Sequence, residues 1–67
     1  MILKKIYKIR IENFINKHYD RVLKMHHKYV RIQGRDKIIT LWFSGRVTIG
    51  ETKLDLKFDE KKIENMF

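Results

Sequence analysis

The sequence predicts an α+β fold: a small antiparallel β-sheet of four to five strands, one amphipathic helix packed on a face, and a short C-terminal helix. Three patterns carry that expectation. The second half alternates apolar and polar residues between Gly34, Gly45 and Gly50. Residues 12–27 set apolar side chains at helical spacing, and Asp59 precedes a short run ending in Met66.

Residues 4–11 read as a strand. Tyr7, Ile9 and Ile11 point one way, and Lys8, Arg10 and Glu12 the other. A longer helix starting near Ile2 is the alternative, since Leu3, Ile6 and Tyr7 tolerate it. Against it, the wheel of the next segment continued backwards puts Lys4 and Lys8 inside the apolar stripe. Residues 12–27 then read as the main helix. Phe14, Ile15, Tyr19, Val22, Leu23 and Met25 fall on one side of the wheel with His18 and His26. Asn13, Asn16, Lys17, Asp20, Arg21, Lys24 and His27 fall on the other. Asn13 is the expected N-cap, its side-chain oxygen accepting an orphan backbone N–H.

The strands follow. Tyr29–Gln33 is β-branched and aromatic, and Gln33-Gly34-Arg35-Asp36 is a turn. Lys37–Phe43 is apolar on both sides, with Ile39, Leu41 and Phe43 on one face and Ile38, Thr40 and Trp42 on the other. Ser44-Gly45 makes a tight turn into Arg46–Ile49, and Gly50-Glu51-Thr52 turns the chain again. In Lys53–Phe58, Leu54, Leu56 and Phe58 point inward and Lys53, Asp55 and Lys57 outward. Asp59 caps a helix over Glu60–Met66. The expected order is β-α-β-β-β-β-α, in one domain spanning residues 1–67. The second apolar face of strand 37–43 needs a cover, either the C-terminal helix or a second subunit. So short a chain without a disulfide has a thin stability margin, and a homodimer is expected on that ground.

The charge is the main functional signal. Sixteen Lys and Arg against eight Asp and Glu leave +8 on 67 residues. Residues 1–31 hold nine basic residues (Lys4, Lys5, Lys8, Arg10, Lys17, Arg21, Lys24, Lys28, Arg31) against Glu12 and Asp20, a surplus of seven. Ten Ile and eleven Lys with no Ala match AT-rich coding, but codon bias acts evenly along a gene and does not produce this asymmetry. A phosphate-bearing partner does account for it. On the expected helix Lys17, Arg21, Lys24 and Lys28 form one solvent-facing stripe, which Arg31 and Arg35 extend. These six are the candidate nucleic-acid-binding residues. Tyr7, Tyr29 and Trp42 are the aromatics available for stacking on bases, although the patterning favours core or dimer packing for Trp42.

Other chemistry lacks a constellation. There is no Cys, hence no thiol nucleophile or Cys-based zinc site. Adjacent His26 and His27 point to different helix faces, and no i, i+4 His pair exists, so no metal or cofactor is expected. Asp55, Asp59, Glu60 and Glu64 do not pair for acid–base work, and no Walker sequence or nucleophile elbow occurs. No apolar run spans a bilayer and no leader sequence is evident, which gives the expectation of a cytoplasmic protein with no membrane partner. The run His26-His27-Lys28-Tyr29, after an amphipathic helix and before antiparallel strands, resembles the HicA-type mRNA interferase toxins, small basic proteins with a double-stranded-RNA-binding-like fold. That resemblance covers residues 14–43 and implies a ribonuclease with His26 or His27 as the general acid or base. Lys24-Met25 stands where the family has Gly-Ser. The leading expectation is a non-enzymatic nucleic-acid-binding accessory protein of phage or mobile-element type, for DNA or RNA. The alternative is an interaction module or inhibitor that binds an acidic protein.

Overall fold

The computed structural model describes the backbone of residues 3–67 and the side chains of residues 6–51 and 56–67. It is an α+β fold of helix α1 (Leu3–Lys17), a single 3₁₀ turn (Tyr19–Arg21), strands β1 (Val22–Met25), β2 (Tyr29–Gln33), β3 (Ile38–Trp42), β4 (Arg46–Ile49) and β5 (Thr52–Lys57), and helix α2 (Glu60–Glu64). The strands form one antiparallel sheet in the order β1-β2-β3-β4-β5, each joined to the next by a hairpin.

The fold class stands, and the N-terminal elements are corrected. Residues 4–11 are helical and the helix ends at Lys17, ten residues before the expected end, so Asn13 lies inside α1 rather than at its cap. Residues 22–25, expected as helix, form the first strand. The longer-helix alternative holds at its start, from Leu3, but not beyond Lys17. Met1 and Ile2, and the side chains of Leu3, Lys4 and Lys5, lie outside the described residues.

The reason is visible in what α1 buries. Ile11, Phe14 and Ile15 are at most 3% exposed, and Tyr7 packs against them. Positions 7, 11, 14 and 15 make a stripe with period near 3.6, and Ile9 falls outside it at 57% exposure. No glycine or proline stops the helix. Instead His18 leaves helical geometry (φ −125°, ψ 39°). Its ring packs on Phe14 (4.6 Å between centroids) and Phe67 (4.9 Å), and Nε2 lies 3.1 Å from Glu64 Oε2. Tertiary contacts to the end of the chain thus set the helix terminus, and a wheel drawn along the local sequence does not contain them.

Both helices cover the same face of the sheet. Val30, Ile32, Ile39, Leu41 and Val47 pack with Ile11, Phe14 and Ile15 of α1, with Phe58, and with Ile63 of α2 in one buried cluster. Asp59 starts α2 as expected, its carboxylate accepting from the N–H groups of Lys61 and Lys62 at 3.0 and 3.2 Å. Arg10 of α1 reaches across to Glu60 with two hydrogen bonds, joining the two helices. The hairpin β3–β4 turns at Gly45 (φ 107°), over which the Tyr7 ring lies so closely that a Cβ would stand 2.8 Å from it. The expected inward and outward positions of Leu56, Phe58 and Lys57 hold. Those of Lys53, Leu54 and Asp55 lie outside the described residues.

Because α2 joins α1, it does not cover the second face of β3. That face carries alternate residues of the same strands: Tyr29, Arg31 and Gln33 of β2, Ile38, Thr40 and Trp42 of β3, Arg46 and Thr48 of β4.

Candidate nucleic-acid interface

The site is built by hairpin geometry. The four residues 34–37 between β2 and β3 fix a register that pairs Tyr29 with Trp42, Arg31 with Thr40 and Gln33 with Ile38. Across the next hairpin Thr40 pairs with Thr48, which brings Arg46 opposite Trp42 in the same register. On the other side Lys24 of β1 pairs with Arg31, after a bulge at Leu23 that keeps Lys24 on the open face.

The β1–β2 connection completes the arrangement. The His26 N–H donates to the Tyr29 carbonyl at 2.9 Å, closing the turn. The Lys28 N–H donates to His26 Nδ1 at 3.2 Å. The His26 ring lies nearly parallel to Tyr29 (11°, centroids 4.5 Å apart), and His27 stacks on His26 at 4.2 Å. Tyr29 and Trp42 are 4.9 Å apart, tilted by 55°. His27, His26, Tyr29 and Trp42 therefore form one continuous row of rings from the β1–β2 turn across β2 to β3. The indole is held by a hydrogen bond from Nε1 to Thr48 Oγ1 (3.2 Å). The Arg31 guanidinium lies 5.3 Å from the Tyr29 ring centre, within cation–π range.

The electrostatics of this row are one-signed. Desolvation lowers the His26 pKa below its usual value, and the nearby positive charges of His27, Lys24 and Lys28 lower it further. An acceptor Nδ1 fits the neutral ring. Lys24, Lys28, Arg31 and Arg46 are all exposed. The far end of the face differs. There a shallow groove lined by Arg31, Asp36, Lys37, Ile38, Thr40, Gly50 and Glu51 mixes both signs, so an anion is favoured at the ring end.

Of the six sequence-derived candidates, the structure brings three together: Lys24, Lys28 and Arg31. The other three lie elsewhere, and the continuous basic helix stripe does not exist because the helix ends at Lys17. Lys17 closes α1 in the helix layer. Arg21, in the 3₁₀ turn, donates to the Gln33 carbonyl (3.2 Å) and lies 4.2 Å from the centre of the Phe67 ring. The Arg35 N–H donates to the Met66 carbonyl at 2.6 Å, and its guanidinium Nε to that of Phe67 at 3.4 Å. Both arginines fasten the C-terminal segment. Of the basic residues nearer the N-terminus, Arg10 is engaged by Glu60, and Lys8 lies 6.0 Å from the Phe43 ring centre.

Trp42 stands outside the buried core, so of the core or dimer packing favoured from its pattern the first does not apply. Arg46 is not singled out by any local pattern, and the sequence drew attention to His26 and His27 for metal binding or catalysis rather than for stacking. The legible signal is register: a four-residue turn after Gln33 places Tyr29 opposite Trp42. His26 and His27 lie between two strands, so the helix–strand junction behind the toxin resemblance is absent. Among the described residues no three His, Asp or Glu side chains group as metal ligands, and no helix is long and apolar enough to cross a membrane. No protein-family model matches the chain, and neither the curated proteins nor the solved structures include a similar one.

Proposed function

We propose that this protein binds nucleic acid on the open face of its sheet, working in the cytoplasm. The observation that carries this reading is the row His27–His26–Tyr29–Trp42 flanked by Lys24, Lys28, Arg31 and Arg46 on a face that neither helix covers. Exposed cations next to partly exposed rings serve a ligand that carries both phosphates and flat bases. The helix stripe inferred from the sequence is replaced as the contact surface, while the class of ligand stays the same.

Salt sets the test. Each phosphate neutralised releases counterion, so four cations give a slope of log affinity against log salt of about −3. A fluorescence-polarisation titration of labelled oligonucleotide between low and physiological salt reads it. Failure to bind at low salt sinks the reading.

An acidic protein partner is the second reading, favoured by β1. This strand pairs on one side only, and Leu23 and Met25 beside Lys24 are 51% and 61% exposed. An added strand bearing carboxylates fits such an edge. The homodimer expected from composition would use the open face, cover the rings and compete with nucleic acid. It also has to bring together two chains of +8 each.

A further inference from the structure

Building on the nucleic-acid reading above, we infer that the ligand of this face is an unpaired strand, whose bases join the row of rings while its phosphates follow the neighbouring cations. Three observations lead there.

The first is width. Five strands at about 4.8 Å spacing span roughly 19 Å. The major groove of a duplex is about 12 Å wide, so this face does not enter it. An undeformed duplex meets the sheet mainly through its phosphates, and its bases, already paired and stacked, leave the rings unused.

The second is the ring row itself. Centroid separations of 4.2 and 4.5 Å describe a stack of His27, His26 and Tyr29, and Trp42, 4.9 Å from Tyr29 and tilted by 55°, continues the row; the Trp42–Thr48 hydrogen bond and the closed His26 turn fix it in place. An unpaired base is one more flat π surface and extends the stack at its ends, over His27 or beside Trp42. A neutral His26 suits this role, because stacking on it desolvates no charge.

The third is the relation between rings and cations. Tyr29 and Trp42 form one cross-strand row, and Lys24, Arg31 and Thr40 form the next. The two rows are two residues apart along the strands, about 7 Å. A single strand likewise presents bases and phosphates as two parallel tracks. The mixed-sign groove at Asp36 and Glu51 borders the cation row on its far side and discourages phosphates from moving farther along the face.

Trp42 is the one tryptophan in the chain, so its emission reports on this surface alone. The full chain is titrated with a twelve-nucleotide oligothymidylate, with oligouridylate of equal length, and with a hairpin duplex of equal phosphate number, all at one salt concentration. The single strands are expected to quench Trp42 and to bind at least about ten-fold more tightly than the duplex. Tyr29→Leu and, separately, His27→Ala should each weaken single-strand binding by roughly five-fold or more and leave duplex binding unchanged. His27 is exposed in a turn, so its substitution keeps the test sound if Tyr29→Leu unfolds the chain. Equal or tighter duplex binding, or single-strand binding without quenching and indifferent to both substitutions, overturns the inference while nucleic-acid binding survives. Absence of binding to all three ligands at low salt overturns both.

Discussion

The two faces of the sheet use alternate residues of the same strands and meet opposite fates. On one, Val30, Ile32, Ile39, Leu41 and Val47 are at most 1% exposed beneath α1 and α2. On the other, Tyr29 and Trp42 are half-buried, and among the described residues only Thr40, at 8%, is shut away. The difference teaches that a period-two pattern with apolar residues on both faces does not draw one helix to each face, since both described helices lie on one. β3 carries Ile38 and Trp42 toward the open side, where one is 45% exposed and the other is fixed by Thr48. Stability resides on the first face and, in our proposal, ligand contact on the second, so substitutions should separate the two.

The largest effect is expected on the covered face. Leu41→Ala removes a fully buried side chain from the middle of the cluster and should cost about 2–5 kcal/mol in denaturant unfolding. That is a large share of what so small a domain possesses. A cost below about 1 kcal/mol would show that the cluster is not the main source of stability.

Next comes the turn that seats Tyr7. Gly45→Ala forces a side chain into positive φ and against the Tyr7 ring, and about 1–3 kcal/mol should be lost. At Gly50 (φ 58°) the nearest atom to an added Cβ is the flexible end of Lys37. Gly50→Ala should therefore cost less, by the same measurement, and a reversed order would refute this reading of the two turns.

The smallest effect concerns the link between the helices. A hydrogen bond from Arg10 holds the Glu60 carboxyl below the usual carboxylate range. The folded-state pKa is lowered, so the contribution is present above the unfolded carboxylate value and is lost as pH falls through the folded one. Both side chains are about 40% exposed, which limits the effect to under about 1 kcal/mol. The advantage of the wild-type chain over Glu60→Gln near neutral pH should therefore vanish on acidification. An advantage that persists below the carboxylate range would contradict the assignment.

The C-terminal half was legible in the sequence for physical reasons. Strand alternation, the turn residues Gly34, Gly45 and Gly50, and the Asp59 cap are local signals, and β2 to β5 and α2 follow them. The N-terminal half was less so. Tyr7, Ile9 and Ile11 satisfy alternation and helix spacing together, and Leu23 and Met25 extend an apolar wheel although both end up exposed on an edge strand. The decision between these patterns belongs to the contacts of His18 with Glu64 and Phe67, which lie 46 or more residues from it in the chain. Lys24, Lys28 and Arg31 were legible as candidates from the charge asymmetry, and the structure brings those three together. The aromatic half of the site depends on cross-strand register, and a helix drawn through residues 22–25 hides it.

The central claim is that the open face, rather than total charge, attracts the polyanion. Two double variants with the same loss of charge test it most directly by salt-dependent oligonucleotide titration: Lys24→Gln with Arg31→Gln on the open face, and Lys17→Gln with Lys61→Gln in the helix layer. The first pair should weaken binding and flatten the salt slope by about 1.4, with the second leaving both nearly unchanged. Equal losses from the two pairs, or a larger loss from the helix pair, would contradict the claim.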